Sequence, residues 1–329
     1  MYVITGGAGF IGSNMAAALD DEGADVVVVD WLGTNDFKWR NIAKRRLRDI
    51  VTPEALLPFV EANAHALRGI VHMGAISTTT ERDADAIVHN NFRLSVDLWT
   101  FAARAGVPLV YASSAATYGD GTQGFVDDAD EPHLARLRPL NAYGWSKHVF
   151  DRWVARTLEK GEAQPPKWAG LKFFNVYGPN EYHKGAQRSV AVQLHAQIRE
   201  TGSVRLFRSD HPDYADGEQL RDFVWIGDCV EVARWALEDA DAPSGLYNVG
   251  SGDARSFRDK AEIVFREMGL EPRIEFIDLP EALKGKYQYY TRASLDKLRA
   301  AGYAKPTVSL EEGLRLYVRD YLEAADPFR

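Results

Sequence analysis

The glycine spacing near the N-terminus constrains this chain more than any other feature. An apolar run at residues 1–5 (MYVIT) leads directly into Gly6-Gly7-Ala8-Gly9-Phe10-Ile11-Gly12, and residues 13–19 continue as a helical run. Gly6, Gly9 and Gly12 stand in the order G-x-x-G-x-x-G. A buried strand that turns through glycines into a helix makes a cradle for a pyrophosphate. The first glycine permits the tight turn, the second lets backbone approach the phosphates, and the third lets the helix pack on the strand. The free N–H groups of the helix then face the anion. Glycine triplets also occur as plain turns, but this one follows a strand and opens a helix, the context that makes the motif specific. The expectation is a dinucleotide site that includes Phe10 and Ile11 of the first helical turn.

The remainder of the first half repeats the same alternation. Residues 25–30 (DVVVVD), 69–73, 108–112 and 168–174 read as buried strands, with amphipathic stretches at 53–64 and 84–105 between them. Strands alternating with helices mean βαβ units. The predicted fold is α/β: a Rossmann-type doubly wound parallel sheet with a smaller, interleaved C-terminal α/β lobe. Beyond residue 178 the pattern is irregular, with helical runs at 188–200 and 228–239 and a polar loop at 209–220. The expected division is a dinucleotide-binding unit at 1–178 and a mainly substrate-binding lobe at 179–329.

Bulk properties exclude several classes. A formal net charge of −8 argues against a nucleic-acid partner. No apolar run reaches the ~20 residues of a membrane span. Cys229 is the single cysteine, so no intramolecular disulfide can form and a cytoplasmic setting is expected, without a leader peptide before the first strand. The eight histidines show no H-E-x-x-H or similar spacing, so no metal is expected.

Asp30 closes the second strand, about 20 residues beyond the glycine turn, where a carboxylate can bind a ribose diol and favour NAD. A basic run follows: Lys38, Arg40, Lys44, Arg45, Arg46 and Arg48. Some of these could neutralise a 2′-phosphate and favour NADP; a solvated helix face would look the same. Trp31 either stacks on adenine or packs, and Asp49 is placed at the adenine edge. NAD and NADP both remain open on this reading.

Tyr143 and Lys147 form Y-x-x-x-K, which puts both side chains on one face of a helix. An ammonium beside a phenol favours phenolate and lowers the tyrosine pKa toward working pH, making Tyr143 a candidate acid/base for a carbinol proton. Residues 111–119 (YASSAATYG) end a strand just upstream. A hydroxyl there lies where ligands of open α/β sheets bind, so Ser114 can meet the same substrate oxygen.

With these motifs in order, the chain resembles the extended short-chain dehydrogenase/reductases over nearly its whole length. His72-Met73-Gly74-Ala75, Asn175-Val176-Tyr177-Gly178-Pro179 and Arg221-Asp222-Phe223-Val224 match further segments of that superfamily. More narrowly, residues 77–81 (STTTE), 89–91 (HNN), 112–119, 174–185 (FNVYGPNEYHKG) and 283–288 (LKGKYQ) look like the ADP-L-glycero-D-manno-heptose 6-epimerases. The chain is identified as a member of that family.

The resemblance implies transient oxidation of the heptose at C6 and return of hydride to the opposite face, with NADP (NAD as the alternative) tightly held and recycled. It makes Tyr143 and Lys184 the two acid/base groups; a phosphate clamp is the other reading of Lys184. A pKa depressed by partial burial beside Lys147 would suit Lys184 to shuttle a proton. It places Met73, Gly74, Ala75, Ser77, Asn90, Lys147, Val176 and Lys184 on the cofactor. On the substrate it places Ser114, Asn175, Ala186, Gln193, Phe207, Arg221 and Tyr287, with Arg221 on the ADP diphosphate. It also implies a homo-oligomer, a pentamer in this family. Three departures stand out: Met73 replaces a family Glu, the 209–220 loop is long, and Pro53 falls where a second cofactor lysine would be.

The nearest alternative is another nucleotide-sugar enzyme such as a UDP-hexose 4-epimerase. A dehydratase would need an Asp-Glu pair where Ala115 and Ala116 stand. A cofactor-sensing protein without turnover would ordinarily have lost Tyr143 or Lys147.

Overall fold

The computed structural model describes residues 1–34, 36–281 and 288–329. The strands are β1 (Tyr2–Thr5), β2 (Val26–Val29), β3 (Asp49–Val51), β4 (Gly69–His72), β5 (Leu109–Ser114), β6 (Trp168–Phe173), β7 (Asn175–Tyr177), β8 (Val204–Phe207), β9 (Leu220–Trp225), β10 (Gly245–Val249), β11 (Ala254–Ser256) and β12 (Ile274–Ile277). Seven of them form one sheet in the order β10-β6-β5-β4-β1-β2-β3, every pair parallel.

The β-branched runs explain the sheet. Val26 to Val29 are all buried, because helices cover both faces of the sheet. Successive side chains alternate between two cores: Val26 and Val28 pack in one, Val27 and Val29 in the other. Burying a valine of this kind contributes about 1.5–3 kcal/mol. The helices Phe10–Asp21 and Ile226–Glu238 cover one face; Leu94–Ala105 and Ala142–Glu159 cover the other.

The chain order reverses between β1 and β4. Ligands of such sheets bind in the crevice beyond the strand ends at that point. The backbones approach closely there: a Cβ on Gly6 would lie 2.7 Å from the Gly74 backbone, and Gly6 has φ +63°.

Two small sheets, β11-β9-β7 and β12-β8, build the rest of the fold. Chain beyond residue 178 nevertheless returns to the large sheet, since β10 pairs with β6 and Ile226–Glu238 packs on its face. Within residues 209–220, His211 and Tyr214 gather with the ring of Tyr289 at 5.1–5.4 Å. Asp49 begins β3 instead of ending it and is exposed, so it does not reach the main cavity. The sequence pattern missed this because three residues are too few to show a period.

Candidate active site

A cavity of about 910 Å³ runs across the ends of β1, β2, β4, β5 and β6. Gly9 opens the helix Phe10–Asp21 without a side-chain cap, and no acid sits in the first turn. Gly9, Phe10, Ile11 and Gly12 all line the cavity, so uncapped amide donors stand where an anion can meet them. A Cβ on Gly12 would fall 2.2 Å from the Gly6 carbonyl oxygen, which is why the helix can sit so close to the turn. These features fit a dinucleotide pyrophosphate.

Asp30 lies at the end of β2. Its carboxylate accepts the Ala8 amide at 3.0 Å and the Lys38 ammonium at 2.6 Å. Lys38 also donates to the Trp31 carbonyl at 2.6 Å. Trp31 is half exposed at the rim, its indole N–H donating to Glu54. The basic run divides here. Lys38 lines the cavity, whereas Arg40 pairs with Asp36, Lys44 with Asp326, Arg45 with Asp20 and Asp21, Arg46 with Asp20, and Arg48 with Asp25. Pro53 also lines the cavity, at the position where the family lysine was sought.

Beyond β4, Met73, Gly74, Ala75 and Ser77 line the cavity. Asn91 pins this segment by bonding both the N–H and C=O of Ile76, at 2.8 and 2.9 Å. Asn90, its neighbour, is on the cavity wall. His72 bonds Thr5 Oγ1 at 2.6 Å and Ser95 Oγ at 2.9 Å; burial above all pushes it down to about 3, so it is neutral.

Tyr143 lies in the first turn of Ala142–Glu159, a helix capped by Asn141 accepting the Gly144 amide at 2.8 Å. A Cβ on Gly144 would come 2.7 Å from the Ala116 carbonyl, so helix and strand end are pressed together. Burial raises the Tyr143 phenol pKa, and the neighbouring Ser114 hydroxyl lowers it in part. The depression expected from Lys147 is therefore not what the site shows. Lys147 is itself buried, and burial pushes its ammonium down to about 8 while the Asp151 charge raises it.

Beneath this pair is a fully buried network. Lys172 donates to Asp151 at 2.6 Å and to Thr117 Oγ1 at 2.9 Å, and Asp151 also accepts from Ser113 Oγ at 2.8 Å.

Lys184 lines the same cavity from a different element. It sits in the turn Tyr182–Gln187, beside Gly185 at φ +56°, with its Nζ 5.2 Å from the Phe10 ring centroid. Its pKa is depressed by burial, as expected, against the raising effect of Glu181, but the expected contribution of Lys147 is not among the causes. Glu181 fixes the turn by accepting from Ser189 Oγ at 2.7 Å and Tyr317 Oη at 2.9 Å. The C-terminal tail adds Tyr182 Oη to the Pro327 carbonyl at 2.9 Å, and the Arg329 amide to Asn180 at 3.0 Å.

The expected substrate residues divide. Ser114, Asn175 and Ala186 line the cavity with Val176 and Lys184. Gln193 does not line it: its side chain donates to the Arg188 carbonyl at 2.7 Å and braces the turn from behind. Phe207, at the end of β8, is also off the wall. Arg221 stacks over Phe257 at 5.6 Å, and the ring rather than the guanidinium lines the cavity. Tyr287, with most of the 283–288 segment, lies outside the described residues; Gln288 lines the cavity and donates to the Gly119 carbonyl at 2.9 Å. The sequence reading missed Lys260, His183 and Asn141 as lining residues. Only Asn141, just before the Y-x-x-x-K helix, carried a local signal as a cap. Among the described residues no group of three or more His, Cys, Asp or Glu is placed to hold a metal.

Comparison with known proteins agrees with this geometry. Residues 2–250 match the NAD dependent epimerase/dehydratase family. Over the whole of both chains, 51% of residues are identical to an ADP-L-glycero-D-manno-heptose-6-epimerase of Nitratidesulfovibrio vulgaris (strain DP4). The chain belongs to this epimerase family. A relative of the same name from Fusobacterium nucleatum is 44% identical, again over the full length of both. Among solved structures, the Helicobacter pylori ADP-L-glycero-D-manno-heptose-6-epimerase superposes with a TM-score of 0.79 at 27% identity, covering 97% of this chain and 95% of that one. The Thermus thermophilus UDP-glucose 4-epimerase, solved as a complex with NAD, gives 0.71 at 25% identity, covering 98% of this chain and 99% of that one. The cofactor of this family is a nicotinamide dinucleotide, and the glycine cradle, Asp30 and the uncapped helix end fit one.

Proposed function

We propose that this protein interconverts ADP-D-glycero-β-D-manno-heptose and ADP-L-glycero-β-D-manno-heptose by transient oxidation at C6. One observation carries the reading beyond family membership: Tyr143 and Lys184, two groups able to move a proton, line the same cavity as the glycine cradle, from different elements. A bound nicotinamide supplies acceptance and return of hydride at one carbon. Epimerisation then needs a proton taken from, and returned to, the C6 oxygen in two orientations of the sugar. Tyr143 serves one orientation. Ser114, beside its phenol, holds the same substrate oxygen, and the Lys147 ammonium favours phenolate once substrate fills the site. Lys184 serves the other orientation; its depressed pKa makes it a usable base. Asn175 and Ala186 position the sugar, and Met73, Gly74, Ala75, Ser77, Asn90 and Val176 border the cofactor.

We assign NADP as the preferred cofactor. The Lys38 ammonium neutralises Asp30, so the carboxylate's repulsion of a 2′-phosphate is offset and a cation stands beside it. The reading includes a homo-oligomer, tested by light scattering, and a cytoplasmic location. No helix among the described residues is long and apolar enough to cross a membrane.

The test is proton NMR of ADP-D-glycero-β-D-manno-heptose with the protein in D2O. The C6 epimer should appear without deuterium at C6. Deuterium at that carbon would mean exchange of a carbon-bound proton and defeat the hydride reading. No conversion, with turnover of a UDP-hexose instead, would transfer the assignment to a 4-epimerase.

A further inference from the structure

Lys260 lies in the helix Phe257–Glu267, outside every motif discussed above. Ser256 caps this helix, and Asp259 completes a reciprocal capping box, so the first turn is held rigidly. Phe257 and Lys260, three residues apart, therefore share a face. Both line the large cavity, with Phe223, Thr291 and Gln288 of the same lobe.

Lys260 is only 1% exposed. Its Nζ lies 3.8 Å from the Phe223 ring centroid and 4.5 Å from that of Tyr177. Among the described residues this ammonium has no hydrogen-bond or ion-pair partner. Glu181 acts on it through space, but that carboxylate is committed to Ser189 and Tyr317. An unpaired buried ammonium is expensive, and each aromatic face returns only about 0.5–2 kcal/mol. Burial accordingly pushes Lys260 down to about 7. A cation of this kind, held between two rings at the wall of a ligand cavity, has its donors ready for an anion that arrives with the ligand.

The neighbourhood indicates which anion. Phe257 packs edge-on against Phe223 at 5.6 Å, and Arg221 lies over Phe257 at 5.6 Å. Two cations thus ride on two interlocked rings of the C-terminal lobe. The cofactor's pyrophosphate is already provided for by the glycine turn and the helix Phe10–Asp21. We propose that Lys260 is a further ligand-binding residue, donating to a phosphate oxygen of the nucleotide-sugar's diphosphate. This rests on the proposed function only for the class of substrate, a nucleoside-diphosphate sugar, because any ADP- or UDP-linked sugar carries a diphosphate.

The experiment compares wild-type holoenzyme with Lys260→Met and Lys260→Arg, using ADP as the probe in isothermal titration. Lys260→Met should weaken ADP at least tenfold with cofactor content unchanged, and Lys260→Arg should keep most of the affinity. In a second measurement, ADP but not adenosine should protect Lys260 of the wild-type protein from an amine-reactive label, read by peptide mass; this holds even if Lys260→Met fails to fold. ADP affinity within twofold of wild type in Lys260→Met, or equal labelling with and without ADP, would overturn the proposal. Failure of the heptose reading would show separately, as absent turnover of ADP-heptose by a wild-type protein that still binds ADP.

Discussion

Replacing Asp151 by Asn isolates the buried charge one turn beyond Lys147 on the same helix. The carboxylate is fully buried, 2.6 Å from an equally buried Lys172 ammonium, and also accepts from Ser113 and, at 3.3 Å, from Tyr111. Asn keeps the shape and one acceptor oxygen but strands the Lys172 charge. Breaking a buried pair from one side costs about 3–5 kcal/mol, whereas removing both partners costs far less. The unfolding free energy from urea titration, at fixed saturating cofactor, should therefore fall by about 3–5 kcal/mol in Asp151→Asn. Most of it should return in Asp151→Asn/Lys172→Met. A second readout belongs to the site. The Asp151 charge raises the Lys147 pKa, which burial holds near about 8. Losing that charge lowers it further, so Lys147 deprotonates at lower pH and the alkaline limb of kcat/KM should move down. A loss under about 1 kcal/mol, or a double variant as unstable as the single one, would refute the reasoning. An unmoved alkaline limb would separate the pair from the chemistry.

Gly12→Ala should empty the cofactor site: its Cβ would fall 2.2 Å from the Gly6 carbonyl, and relieving such overlap typically costs about 1–3 kcal/mol. Nicotinamide retained through gel filtration at the wild-type level would contradict this. Lys38→Ala should lower the NADP/NAD affinity ratio about tenfold, the equivalent of ~1.4 kcal/mol, because Asp30 loses its counter-ion; an unchanged ratio in titrations would place the 2′-phosphate elsewhere. Removing residues 327–329 takes away the Tyr182 and Asn180 contacts, so kcat should fall several-fold while bound cofactor is kept, as steady-state rates and absorbance would show. Acid should destabilise the fold. His148 and His183 are pushed down to about 4, and His72 to about 3, by burial. The unfolded chain then binds more protons below pH 6.5, and stability is lost as pH falls toward 4. Each histidine contributes about 1.4 kcal/mol per pH unit in that window. Asp228, raised to about 6, offsets one of the three. A thermal midpoint that does not drop between pH 6.5 and 5 would contradict these shifts.

Local chemistry made much of the site legible. The Tyr143–Lys147 spacing and the Ser114 strand end are short-range facts, since helix and strand periodicity fix which side chains share a face. The basic run shows where this stops. Its composition said only that cations were present. The acids that remove Arg40, Lys44, Arg45, Arg46 and Arg48 from the site are Asp36, Asp326, Asp20, Asp21 and Asp25, and most of these come from other elements. Gln193 and Arg221 show a similar limit: each meets a partner, a backbone carbonyl or a ring, that a linear pattern does not display.

What the sequence determined alone was the strand–glycine–helix cradle, the parallel sheet and the placing of Tyr143 and Lys147 on one helix face, because each depends on backbone freedom or periodicity within a few residues. Tertiary structure decided the electrostatics. Burial raised Tyr143, lowered Lys147 and Lys184, and left Lys260 on the cavity wall with two rings and no ion pair among the described residues. Desolvation depends on everything packed around a group, and the residues that exclude water from these four are scattered along the whole chain.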